Sequence, residues 1–100
     1  KRLSYAVHER ECEAAGLDPL HVRRLAIRLA RLARDADRAG LTIFGGSGTG
    51  TLRLKDCDAC PASSQYAGRL ILADVSEGSW DGGDGGASED ENGLLRGEGG

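Results

Sequence analysis

The run Asp18–Gly40 (DPLHVRRLAIRLARLARDADRAG) constrains this chain more than any other. At roughly 100° per residue, Val22, Leu25, Ala26, Leu29, Leu32, Ala33 and Ala36 gather into one aliphatic stripe. Arg23, Arg24, Arg28, Arg31, Arg34 and Arg38 gather on the other side. Asp18 suits an N-cap and Pro19 the first helical position, where no N–H is needed. Gly40 suits the left-handed residue that closes a helix, with Leu41 folding back on it. Ile27 stands among the arginines, as an isolated exposed apolar residue or as a contact for a partner. A stripe this wide predicts burial in a core, which makes Leu25 or Leu29→Asp an unfolding substitution. A dimer seam is the other use for such a face.

The flanking segments predict an α+β fold. Ser4–Ala15 reads as a shorter helix that stops at Gly16, and Gly16-Leu17-Asp18 leads straight into the arginine helix as a helix–turn–helix unit. Leu41–Phe44 and Thr51–Lys55 read as strands, the latter with Leu52 and Leu54 inward and Arg53 and Lys55 outward. Gly45–Gly50 between them reads as a flexible turn. Cys57–Gly68 reads as a loop and Arg69–Val75 as a third strand. The expected architecture is therefore two N-terminal helices packed on a small three-stranded antiparallel sheet over residues 1–76. Leu25, Leu29 and Leu32 would cover Ile43, Leu52, Leu54, Leu70 and Leu72.

Charge is distributed unevenly. Residues 1–40 hold nine Lys/Arg against six Asp/Glu, and residues 77–100 hold one against seven. The latter stretch also contains nine glycines, and it predicts an acidic, Gly-rich tail with too little apolar surface to fold by itself. Trp80, Leu94 and Leu95 are its apolar anchors. The odd number of cysteines, three, argues against a secreted disulfide framework. Residues 1–16 lack the apolar stretch of a signal peptide. No apolar run reaches the ~20 residues of a membrane span. The expectation is a cytoplasmic protein with no membrane partner.

Candidate chemistry is sparse. Cys57 and Cys60 have the CxxC spacing of a zinc half-site, and His8 with Cys12 could complete a four-ligand set. The knuckle glycines of such sites are missing, so incidental cysteines fit better and no cofactor is expected. A redox CxxC would open a helix after a strand, which Pro61–Ser64 does not resemble. GGSGTG lacks the Lys-Ser/Thr ending of a phosphate-binding loop and precedes a strand, so it reads as a hairpin turn. DGGDGGASEDEN fails the spacing of a calcium-binding loop. Neither His8 nor His21 has a nucleophile at a diagnostic distance, and an enzyme is not expected.

Two binding modes follow. In one, the helix–turn–helix unit lays its arginines along nucleic-acid phosphates, although the face offers no Asn, Gln or Ser for base edges. In the other, Asp81, Asp84, Glu89, Asp90 and Glu91 imitate phosphate spacing and occupy a protein's nucleic-acid surface, while the arginine helix pairs with acids elsewhere on the target. Trp80 and Ile27 join either contact set. The layout GLDPLHVRRLAIRLARLARDADRAGLTIFGGSGTG, with SWDGGDGG and EDENGLLRGEGG after it, resembles small phage-encoded proteins of high-GC proteobacteria. In size and character it is similar to anti-CRISPR proteins that act on type I-F surveillance complexes. That resemblance spans the whole chain and implies a non-enzymatic, stoichiometric inhibitor that contacts Cas proteins and blocks target DNA binding by DNA mimicry. It carries no catalytic residues over. A small helix–turn–helix nucleic-acid-binding or regulatory protein is the alternative.

Overall fold

A computed structural model describes residues 2–46, 48–55, 70–82 and 86–97. In chain order the elements are α1 (Glu9–Ala14), α2 (Pro19–Arg38), β1 (Leu41–Gly46), β2 (Thr49–Leu54), β3 (Ile71–Val75), β4 (Ala87–Glu89) and β5 (Leu95–Gly97). The class is α+β, with two helices, a three-stranded antiparallel sheet in the order β1-β2-β3, and a separate antiparallel pair β4-β5. The chain divides into two compact units, Lys1–Leu32 with Gly83–Gly100, and Ala33–Gly82. This division does not coincide with the compositional boundary between residues 76 and 77.

In the first unit, α2 starts where its capping chemistry places it. Asp18 Oδ1 accepts the N–H of Leu20 at 3.0 Å, and the Asp18 carbonyl accepts from His21 and Val22 at 3.0 and 3.2 Å. α1 is a single short stretch, against the expectation of a helix from Ser4 to Ala15. Residues 2–8 are not helical, and in them Leu3, Tyr5 and Val7 alternate along one side. A period of two suits an extended segment, and these three side chains line a groove with Leu20, Arg23 and Ile27 of α2. The segment therefore lies on the arginine side of the helix. Ile27 is half-buried there instead of exposed. Leu25, Leu29 and Leu32 are 48%, 58% and 49% exposed, while Ala36 of the same stripe is buried at 6%.

The C-terminal stretch of this unit is a hairpin anchored to α1. Leu95 donates its N–H to Glu11 Oε2 at 2.8 Å, and Arg10 Nη2 donates to the Asn92 carbonyl at 3.1 Å. Its turn is organised by Asp90. Oδ1 accepts from the N–H groups of Asn92 and Leu94 at 2.8 and 3.0 Å, while Oδ2 accepts from Arg96 Nε at 2.6 Å. Gly93 takes φ +77 in that turn, a conformation an L side chain rarely adopts. Part of the expected acidic tail is thus built structure.

In the second unit, Gly40 closes α2 at φ +80 and its carbonyl accepts the Lys55 N–H at 3.0 Å. Lys55 Nζ pairs with Asp37 at the same junction. β1 and β2 pair in the register Leu41 with Leu54, Ile43 with Leu52, and Gly45 with Gly50. The two strands run through the glycines that had been expected to form a turn, leaving only residues 47–48 between them. The cause is Trp80. A Cβ added at Gly50 would sit 2.6 Å from its ring and one at Gly45 would sit 3.2 Å away, so the indole lies directly on this glycine pair. Its Nε1–H donates to the Glu77 carbonyl at 2.8 Å. Ring and glycines continue the apolar face of Leu41, Ile43, Leu52 and Leu54, all half-buried.

The opposite face carries Phe44, Thr51 and Arg53. The Arg53 guanidinium lies 4.2 Å from the Phe44 ring centroid, and its Nε donates to Thr51 Oγ1 at 2.9 Å. Thr51 in turn donates to the Phe44 carbonyl at 3.3 Å and is 6% exposed. On the other side, β3 pairs with β2 through Gly50–Val75, Thr51–Asp74 and Leu52–Ala73, then shifts register to Arg53–Ile71. The shift is a bulge that leaves Leu72 out of the ladder. All of Ile71–Val75 is exposed, and Leu70 and Leu72 are 49% and 53% exposed.

Candidate functional site

The arginine helix keeps its cations outward on consecutive turns. Arg24, Arg28 and Arg31 are exposed, fall within about 60° of arc, and span about 10 Å along the axis. Six arginines against two aspartates make α2 cationic along its length. The expected arginine set does not act as one face, however. Arg23 donates through Nε to the Tyr5 hydroxyl at 3.3 Å, and Arg34 is half-buried and engaged within the protein. Arg38 is exposed in the last turn. Ile27 belongs to the groove wall, not to a free arginine face.

The acidic residues differ in what they touch. Glu89 and Glu91 are exposed around the β4-β5 turn, and Asp81 is exposed and has a partner within the protein. Asp90 is spent on the turn, and the Arg96 guanidinium with the Leu94 and Asn92 amides holds its carboxyl below the usual aspartate value. Hydrogen bonding from the Leu95 N–H likewise lowers Glu11. Asp84 lies outside the described residues. Trp80, expected at a partner interface, covers Gly45 and Gly50 of its own sheet.

For zinc, Cys57 and Cys60 lie outside the described residues. Cys12 is buried at 8% exposure in α1, and His8 is the exposed N-cap of that helix. Among the described residues no three His, Cys, Asp or Glu side chains are grouped to hold a metal ion. Among them, too, no helix is long and apolar enough to cross a membrane.

Sequence reasoning missed the groove of the first unit. About 750 Å³ in volume, it is lined on one side by Arg2, Leu3, Tyr5, Val7 and Glu9, and on the other by Pro19, Leu20, Arg23, Ile27 and Arg31. The signal was present in the period-two placement of Leu3, Tyr5 and Val7, which a helical reading of residues 4–15 averaged away.

Compared with known families, curated proteins and solved structures, the chain matches no family model, no curated sequence and no structure. The resemblance to anti-CRISPR proteins therefore has no relative behind it, and the functional reading rests on the geometry alone.

Proposed function

We propose that this chain is a non-enzymatic binding protein that engages nucleic-acid phosphates through the exposed arginine edge of α2. The observation that carries the proposal is the exposure of Arg24, Arg28 and Arg31 on successive turns of one capped helix. Guanidinium groups on a rigid rod meet phosphate oxygens in bidentate geometry, and such contacts release counterions from the polyanion. Nucleic-acid affinity should then fall steeply as salt is raised. Arg24→Glu with Arg28→Glu should weaken binding more than tenfold at low salt and flatten the salt slope by about two phosphate contacts. The helical circular dichroism should be unchanged, because both side chains stand in solvent.

A second reading, inhibition of a CRISPR surveillance complex by occupation of its DNA-binding surface, is favoured by the exposure of Glu89 and Glu91 beside the β4-β5 turn. Mixing the protein with a purified type I-F complex and labelled target DNA separates the two readings. Displacement of DNA from the complex, with no binding of free DNA or RNA, selects the inhibitor. Binding of free nucleic acid with the salt slope above selects the arginine edge. If neither occurs at low salt, both readings fall.

A further inference from the structure

The groove of the first unit has two chemistries side by side. Leu20 and Ile27 supply an aliphatic floor, while Arg23 and Arg31 place guanidinium groups along its edge and Tyr5 stands opposite. The Tyr5 ring is 38% exposed and is held in place by its hydroxyl, which accepts from Arg23 Nε at 3.3 Å. One engaged N–H of five leaves that guanidinium with donors for an anion. Arg23 and Arg31 line it beside a single carboxylate, Glu9. A purely apolar ligand would make no use of those two guanidinium groups. A simple anion would leave the aliphatic floor and the aromatic ring without use.

We infer that this groove seats one nucleotide of a single-stranded nucleic acid, the base against Tyr5 and the aliphatic floor, the phosphate on Arg23 and Arg31. The inference rests on the arginine-edge reading and adds to it the type of strand and the seat of the base. The volume, about 750 Å³, lies within the range of small-molecule sites. A positive groove with an aromatic ring is the usual means of holding single strands, since every base offers a π-face to stack. A duplex hides those faces and could use only the arginines.

Fluorescence anisotropy with a labelled oligothymidine, an abasic strand of equal length and a duplex tests this. Wild-type protein should bind oligothymidine about tenfold more tightly than the abasic strand, and Tyr5→Leu should lose that advantage while binding the abasic strand as before. Tyr5→Phe keeps the ring and should stay within about twofold of wild type. Equal affinity for oligothymidine and the abasic strand overturns the base seat and leaves the arginine edge standing. Absence of binding to any nucleic acid overturns both. Tighter binding of a glutamate-rich peptide than of oligothymidine also overturns the inference, since the groove would then be a peptide site. The abasic comparison uses unmodified protein, so it holds even if a Tyr5 variant is poorly folded.

Discussion

Gly50 has no room for one more carbon. A Cβ there would stand 2.6 Å from two atoms of the Trp80 ring and 2.7 Å from a third, in the rigid part of a large side chain. Gly50→Ala should therefore lift the indole from the sheet and cost about 1–3 kcal/mol, as overpacking does. A lowered melting temperature with a red shift of the Trp80 fluorescence would bear this out, and unchanged emission would contradict it. Asp90 is the comparable residue in the β4-β5 hairpin. Its carboxyl is lowered first by Arg96 and then by backbone N–H groups, and Glu11 is lowered chiefly by the Leu95 N–H. A carboxyl depressed on folding stabilises above its unfolded value and loses that contribution as pH falls through its folded value. The hairpin should be intact at neutral pH and should loosen only as pH falls below the ordinary carboxylate range. Amide shifts of Asn92, Leu94 and Leu95 followed by NMR should titrate together there. In Asp90→Asn the Asn92 and Leu94 shifts should lose that titration. Neither residue's role was legible in composition, because GGSGTG reads as a hairpin turn and EDENG as solvated acid until the tertiary contacts form.

Among the elements, α2 is the one whose ends and length were plain in the chain. Asp18, Pro19 and Gly40 act locally, each through the backbone of its own helix terminus, so no tertiary knowledge was needed. Asp18→Ala should cost about 1 kcal/mol through the lost Leu20 N–H bond. Which face of that helix would be covered was a different matter. Leu25 and Leu29 are about half exposed, so Leu25→Asp or Leu29→Asp should leave a folded protein, about 0.5–1 kcal/mol less stable at most. That reverses the expectation from the stripe, and a denaturation curve decides it. An unfolded Leu29→Asp would mean that the stripe is covered after all. The first half of the expected Ser4–Ala15 helix is not helical for a related reason. Leu3, Tyr5 and Val7 fit a period of two as well as a broken helical pattern, and only the groove against Leu20 and Ile27 selects the extended form.

At the scale of the whole molecule, the described residues hold a thin core. Cys12 and Ala36 are the buried apolar side chains among the described residues, and no large side chain there is fully buried. Stability then leans on backbone ladders, capped termini and the Trp80–glycine contact. It should be modest, a few kcal/mol, as for small domains with little buried area. Hydrogen exchange on the full chain should show the β1-β2 ladder and the Leu94 and Leu95 amides protected at neutral pH. The Leu95 protection should be lost in Glu11→Ala. Rapid exchange of these amides in the wild type would refute the hairpin as drawn. Sequence alone determined the helix, its caps, the alternation of β2 and the segregation of charge, because each depends on residues a few positions apart. The tertiary structure alone decided that residues 2–8 run extended beside Arg23 and Ile27, that Gly45, Gly46 and Gly50 are strand and not turn, and that Trp80 and Asp90 serve their own chain. Those outcomes depend on which distant segment arrives at a surface first suited to it, and neither hydrophobic period nor net charge carries that information.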